Sequence, residues 1–424
     1  MKPGYKQTDV GVIPEEWGVT RLSGLVVTGP KNGYSGRSSK DARGTPTLSL
    51  GATSSGCMLL NDETVKRLDE TIDSRSDLYL KPGDVLVQRS NTPDLVGTTA
   101  VFDGPAEVYV YPDLMMRMRF RDDATAHWFW RYANSGNGRR FFVSVAAGSS
   151  GSMPKISGEK LRAMQLPLPP LLEQRTISEA LSDVDALLDA LDRLIAKKRD
   201  LKQAAMQQLL TGQTRLPGYH GDWEVKRLGD VTSLIPGGVY GEERPRDTLI
   251  PRLVATTAHI EMDDTWNSKE MNVRYFSRDH VERYSPVEGD LIVVKSSGSA
   301  AKIQSGKIGF VDRNIVGRFL FSNFLMLLRP IGISPQFLYF YLCSHSVKKL
   351  LPTLVEASTY PNIRIPEYLA LEIPFPPLPE QIAIAKILSE IDAELAALEQ
   401  HRDKTRTLKQ AMMQELLTGR IRLV

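Results

Sequence analysis

The sequence predicts an α+β protein made twice over: two similar globular domains joined by two long antiparallel helices that act as a coiled-coil spacer, with an internal pseudo-twofold and a circular arrangement of the chain. Three observations predict it. Residues Leu166–Leu216 return as Ile373–Leu423 at a constant offset of 207, with roughly half the positions identical. Within both copies apolar residues recur at spacings of three and four, the seam of a coiled coil. A second correspondence sets Trp17, Arg21 and Leu22 against Trp223, Arg227 and Leu228 at an offset of 206, so the repeated unit is a whole half of the chain. The expected divisions are a globular domain over 1–165, a long helix over 166–216, a second globular domain over 217–372 and a second long helix over 373–424.

In chain order, the opening segment GYKQTDVGVIPEEW is followed from about residue 30 by strand-like, turn-rich text. KPGDVLVQRSN (81–91) reads as a turn followed by an apolar run, and VEGDLIVVKSSG (287–298) repeats it. A short aromatic helix is expected in HWFWRYANS (127–135) and in PQFLYFYLCS (335–344), with Trp128, Trp130, Tyr339 and Tyr341 in the core. Each half closes with a small-residue loop and a short amphipathic stretch. The long helices open at PPLLEQ and PPLPEQ, with prolines ahead of the first turn and an acid inside it. Their expected packed faces are Ile177, Leu181, Leu188 and Leu191, with Ile384, Leu388, Ile391 and Leu395. Gly212 and Gly419 should end them.

Connectivity sets the expected geometry. Few residues separate Gly212 from Trp223, so the second globular domain starts where the first long helix ends, and it feeds the start of the second. Antiparallel helices satisfy both conditions and return the C-terminus to residue 1. Two unlike heads on a rod about 50 Å long suit a long, nearly twofold ligand, and duplex DNA is one.

Composition narrows the class. The 424 residues are 42% apolar and 24% charged with a net charge of +3, which permits nucleic-acid binding without demanding it. Two cysteines exclude a disulfide framework and a cysteine-based metal site. No apolar run is long enough for a membrane span and the start has no signal-peptide core, so a cytoplasmic location is expected. An adenine methyltransferase would need an Asn/Asp-Pro-Pro-aromatic motif, and a magnesium nuclease would need clustered carboxylates. Neither is found, and Glu224-Val225-Lys226 aligns with Gly18-Val19-Thr20 in the repeat. The six histidines make no metal motif.

GYKQTDVGVIPEEW, GDVLVQRSNTPDLVG (83–97) and the two PPLxEQ…LLTG blocks together resemble the specificity subunit of a type I restriction–modification system, over the whole length of the chain. The resemblance implies a non-catalytic subunit whose two globular parts are target-recognition domains reading a bipartite, asymmetric DNA sequence. It implies as partners double-stranded DNA, two adenine-N6 methyltransferase subunits and, in the nuclease complex, restriction subunits. S-adenosylmethionine, ATP and magnesium would then belong to those partners. By the same resemblance the outer helix faces, with Lys197, Lys198, Arg199 and Lys404, would meet the methyltransferase. In the second half KSSGSAAKIQSG replaces RSNTPDLVG, a departure from the first.

Candidate DNA contacts follow residue chemistry. Arg89 forks onto guanine and Asn91 onto adenine in a major groove, with Ser90 between them; alternatively Asn91 bonds its own backbone in a turn. Lys295, Ser296 and Ser297 are the counterparts. Lys31, Asn32, Tyr34 and Ser35 lie in a glycine-rich loop that either closes on DNA or is simply solvated, and Gly237, Gly238 and Tyr240 stand in its place in the second half. Ser149, Ser150, Ser152 and Lys155, with Ser358, Thr359, Tyr360, Asn362 and Arg364, set small donors beside a basic side chain, a combination suited to phosphate oxygens. Arg139–Arg140 and Lys348–Lys349 read as solvated helix ends. The rival reading is a structural tandem-repeat adaptor whose heads bind protein.

Overall fold

The computed structural model describes residues 3–39, 43–147, 153–267, 269–297, 303–356 and 361–423. It is a mixed helix-and-sheet protein dominated by two helices, Leu171–Leu210 of 40 residues and Leu378–Leu416 of 39. The chain forms two compact units: residues 1–191 with 401–424, and residues 192–400. Each unit takes the start of one long helix and the end of the other.

The PPLxEQ opening has a concrete structural reason. Gln174 donates back to the Pro169 carbonyl at 2.7 Å and Gln381 to that of Pro376 at 2.8 Å, tying the first turn to the prolines that precede it. The glutamates beside them are buried and take up other partners, described below. Just ahead of each helix lies a short strand, Gln165–Leu168 or Glu372–Phe375, paired antiparallel with Gly18–Arg21 or Glu224–Arg227. The segment 166–216 therefore begins as strand and becomes helix at Leu171. Gly212 and Gly419 adopt φ of +73° and +70°, the left-handed ending a glycine allows.

In the first unit Ile177 and Leu181 share a core with Leu416 and Leu417; in the second, Ile384 and Leu388 share one with Leu209 and Leu210. In each unit the start of one helix thus lies beside the end of the other, so the two run in opposite directions there. Leu191 and Leu395 are buried, and Leu188 and Ile391 half-buried. Charges repeat the pattern: Lys409 pairs with Asp185 in the first unit and Lys202 with Asp392 in the second, both at 2.5 Å. The helix continues through Thr405, whose buried hydroxyl is satisfied by donating to the His401 carbonyl.

Each unit holds a four-stranded sheet of the same order. In the first the strands run Val26–Asn32, Met115–Phe120, Val85–Gln88 and Thr99–Val101; in the second, Thr232–Ile235, Leu325–Pro330, Leu291–Val294 and Ile308–Phe310. The Gly-Asp pair ahead of the innermost strand has the same function in both. Asp84 accepts the Lys81 N–H and holds Arg119 at 2.7 Å; Asp290 accepts the Val287 N–H and holds Arg329 at 2.7 Å. Both carboxylates are buried, so each closes its turn and satisfies its charge with an arginine from the neighbouring strand. A three-stranded sheet accompanies each four-stranded one.

The aromatic helices run over Asp123–Ala133 and Pro335–Leu342. Trp128 is fully buried, whereas Trp130, Tyr339 and Tyr341 are half-buried and bond backbone carbonyls. A second helix follows in each unit, Gly136–Val145 and His345–Leu354, beyond the elements that the sequence predicts. It carries the basic pairs expected to be solvated helix ends, and two of them are not. Arg139 donates to the Val96 carbonyl at 2.6 Å, and Lys348 pairs with Asp264 at 2.7 Å and reaches the Gly306 carbonyl. Among the described residues no helix is long and apolar enough to cross a membrane.

Candidate nucleic-acid interface

The four-stranded sheets gather the candidate residues. Asn32 lies opposite Met116 and Gln88 opposite Met115, so Val26–Asn32 and Val85–Gln88 end at the same edge of the sheet. Lys31 to Ser35 and Arg89 to Asn91 therefore emerge at one end of the sheet, flanking the start of Met115–Phe120. Lys155 joins them by backbone pairing with Ser90 and Ala147, and the Ile156 N–H donates to the Arg89 carbonyl at 2.9 Å. The second unit repeats this edge. Ile235 faces Leu327 and Val294 faces Leu325, Ser296 bridges to Asn362, and the Ile363 N–H reaches the Lys295 carbonyl at 2.9 Å. Segments far apart in sequence thus converge at one end of each sheet.

The side chains at that edge divide into two kinds. Arg89 is half-buried and Lys155 exposed, and neither cationic group has a partner among the described residues. These two are free to meet an anion. Ser90 and Asn91 are buried at 1% and 8% exposure, which corrects the expectation that both reach a groove. The Asn91 amide donates to Gln88 at 2.6 Å while its oxygen accepts the Thr92 N–H at 2.8 Å, the turn role that competes with base contact. Ser296 and Ser297 are buried likewise, and Ser297 accepts the Gln304 N–H. Burial follows from position: these residues continue strands packed on both faces, Val85 and Val87 against one apolar cluster and Leu86 against another, as Leu291 and Val293 are against one and Ile292 and Val294 against another.

The glycine-rich loop is neither free nor merely solvated. Lys31 pairs with Asp77 at 2.9 Å, the Tyr34 hydroxyl donates to Glu70 at 2.5 Å, and the Ser35 hydroxyl donates to Asp113 at 2.5 Å. The Glu70 carboxylate pushes the Tyr34 phenol pKa up by accepting its proton in a hydrogen bond. Asp77 in turn receives the buried Arg117 through both carboxylate oxygens at 3.0 Å, and Arg119 at 3.1 Å. Lys31 first, and Arg117 with it, holds the Asp77 carboxyl well below the usual carboxylate range. Three donors of the loop are thereby held on intrachain carboxylates.

Gly238 serves the backbone. A Cβ there would stand 1.8 Å from the Phe321 carbonyl, and Gly33 meets the Tyr111 carbonyl at 1.9 Å in the same way. Only glycine allows the loop to press onto the neighbouring strand. At Gly237 a Cβ would lie 3.2 Å from the Lys295 ammonium. That ammonium donates to the Pro236 carbonyl at 3.0 Å, and burial lowers its pKa. Tyr240 is exposed with the Arg274 guanidinium over its ring. Asn362 is half-buried, and Arg364 pairs with Glu367 at 3.2 Å. Ser149, Ser150, Ser152, Ser358, Thr359 and Tyr360 lie outside the described residues. On the long helices, Lys197 and Lys404 are exposed, whereas Lys198 and Arg199 form ion pairs with Glu394 and Glu399.

Sequence reasoning missed a reciprocal clasp. Glu173 accepts the Trp17 indole N–H at 2.9 Å and two bonds from Arg422 at 2.6 and 2.9 Å. Glu380 accepts the Trp223 indole at 3.1 Å and two bonds from Arg215 at 2.7 Å. The arginine that follows one long helix thus fastens the glutamate that opens the other, in each unit. The signal was present, since tryptophan, glutamate and arginine all recur at the repeat offset.

Comparison with known proteins agrees with this architecture. The family described as the type I restriction modification DNA specificity domain matches twice, over residues 14–198 and 220–405. The chain is 23% identical to the putative type I restriction enzyme MjaX specificity subunit of Methanocaldococcus jannaschii, covering 99% of this chain and 97% of that one. It is 26% identical to the MjaVIII specificity subunit of the same organism over 64% of this chain and 65% of that one. Among solved structures, the type I restriction-modification S subunit from M. genitalium aligns with a TM-score of 0.60 at 14% identity, covering 98% of this chain and 99% of that one. A chain from a structure of complex assembly and conformational transition in the type I R-M system aligns at 0.52 and 18% identity, over 96% and 99%. With its two matched domains spanning most of its length, the chain belongs to the type I restriction–modification DNA specificity family.

Proposed function

We propose that this chain is the sequence-reading subunit of a type I restriction–modification complex, whose two target-recognition domains each read one half of a bipartite, asymmetric DNA target. The observation that carries the reading is the repeated sheet edge. Both units bring the same strand ends, loop and bridge together, yet the side chains there differ, with Arg89 and Lys155 in one and Lys295, Tyr240 and Arg364 in the other. A common frame with unlike residues suits two different half-sites, because phosphate contacts set the register and base edges set the sequence.

On this reading Arg89 is the base-reading candidate of the first unit and Lys155 a phosphate contact. Ser90, Asn91, Ser296 and Ser297 are the supports beneath. The chain itself carries out no bond chemistry and works in the cytoplasm. Two methyltransferase subunits, with restriction subunits in the nuclease form, supply catalysis and bind S-adenosylmethionine, ATP and magnesium. The protein-binding adaptor finds no support in the comparisons.

Mapping of methylated adenines in DNA from cells that express this chain with its methyltransferase partner tests the proposal. One split sequence with a fixed gap is the expected result. Unmethylated DNA, or methylation without a shared sequence, would count against it.

A further inference from the structure

In the second unit the three-stranded sheet sets Ile250–Ala255 between Asn272–Phe276 and Phe319–Phe321. Val254, Phe276 and Leu320 belong to one apolar cluster, so they share a face of that sheet. Side chains alternate along a strand. Arg252, Arg274 and Arg318 each stand two residues before one member of the cluster, which directs all three to that same face. Arg252 lies directly opposite Arg274, and Arg318 precedes Phe319, whose parallel partner Leu253 follows Arg252. The three arginines thus form a row across adjacent strands, with neighbouring backbones about 4.8 Å apart.

The fold does not require this row. Like charges directly opposite one another weaken a strand pair. The first unit builds the same register without them: Pro46 faces Arg67, Thr47 pairs in parallel with Val110, and the matching row reads Tyr109, Pro46 and Arg67. Arg252 and Arg274 follow Pro46 and Arg67 by 206 and 207 residues, the offsets of the repeat. Nor do carboxylates neutralise the row. Arg274 pairs with Glu243 at 3.1 Å, but that glutamate side chain is 78% exposed, and such a pair holds weakly. Glu242, the neighbouring acid, pairs with Arg246 at 3.0 Å. Arg252 donates only to the adjacent Pro251 carbonyl at 2.9 Å, and the exposed Arg318 has no side-chain partner among the described residues. The Arg274 guanidinium also lies over the Tyr240 ring, 5.5 Å from its centre, which joins the row to the loop at the sheet edge.

We propose that this arginine row is a phosphate clamp for duplex DNA, gripping the backbone that passes the sheet edge of the second unit. A guanidinium fork matches phosphate oxygens. Each DNA strand carries one phosphate per 3.4 Å of helix axis, so a row spanning three strands meets more than one. The inference rests on the DNA reading above and adds an asymmetry to it. The second unit supplies more of the sequence-independent attraction than the first, whose matching row holds one cation, Arg67, already donating to the Gly44 carbonyl at 3.0 Å.

Fluorescence-anisotropy titration of the full chain with a random-sequence duplex across a salt series tests the clamp. Arg252→Gln combined with Arg318→Gln should lower the log–log salt slope by about 1.8, for two phosphate contacts. The affinity lost between about 50 and 200 mM salt should then be about tenfold smaller than in wild type. Lys197→Gln combined with Lys404→Gln removes the same charge from exposed positions on the long helices and should leave the slope as in wild type. Without DNA, the melting temperature of the arginine variant should stay level or rise, because a like-charge row is relieved. If the double variant fails to fold, Arg318→Gln alone carries the test, with an expected fall in slope of about 0.9. An unchanged slope in the arginine variant, or an equal fall in the lysine variant, overturns the clamp while the DNA reading stands. A wild-type chain with no salt-dependent duplex binding overturns the DNA reading, and the clamp with it.

Discussion

Replacing Glu173 by glutamine should destabilise the first unit more than any single loss at its exposed surface. The carboxylate is 1% exposed and accepts three hydrogen bonds, one from Trp17 and two from Arg422. Glutamine keeps the shape but sets an NH₂ group against donors, leaving the guanidinium with half its acceptors and no opposing charge from residue 173. Breaking a buried ion pair from one side costs about 3–5 kcal/mol. Arg422 keeps water on one face and also touches Glu16 at 2.8 Å, so the expected loss is smaller, about 2–3 kcal/mol. For a unit of roughly 200 residues that lowers the melting temperature by about 4–12 °C. Thermal unfolding of the full chain followed by calorimetry measures it. Glu173→Ala combined with Arg422→Ala should cost less than the sum of the two single changes, because the pair fails as one. A shift of less than about 1 °C in Glu173→Gln would refute the clasp as a source of stability.

Other expectations concern the sheet edge. Lys155→Ala should weaken binding to duplexes of any sequence and reduce the log–log salt slope by about 0.9, whereas Arg89→Ala should cost about 1–3 kcal/mol on the target with relaxed preference at one position; anisotropy titrations across a salt series separate them. Asn91→Ala should lower stability by about 1–3 kcal/mol in urea unfolding through loss of the buried Gln88 contact, while the salt slope stays as in wild type. Asp77 has a carboxyl pKa depressed in the folded state, chiefly by Lys31, so its contribution exists above the unfolded value near 3.9 and is lost as pH falls through the folded one. The stability gap between wild type and Asp77→Asn should therefore be full at pH 7 and shrink below about pH 4; a gap independent of pH would remove the electrostatic explanation.

The sequence by itself determined what depends on local periodicity and on repetition. Apolar spacing marked the long helices because a helix must bury one stripe whatever surrounds it, and Gly212 and Gly419 marked their ends because only glycine takes the left-handed turn cheaply. The repeat offset established that the chain holds two similar halves, and the short motifs placed it in its family. What only the tertiary structure decided was the fate of individual polar side chains. Arg89, Ser90 and Asn91 are consecutive in sequence, yet the first is left free at the sheet edge and the other two are buried beneath it. Lys31 looked available in its loop until Asp77, 46 residues away in sequence, came to rest beside it. Glu173 is legible in the sequence only as an acid in a first helical turn; the fold closes it on Trp17 and on Arg422, 249 residues away. Burial and charge pairing depend on which distant segments arrive at a position, and neither is written in the spacing of neighbours along the chain.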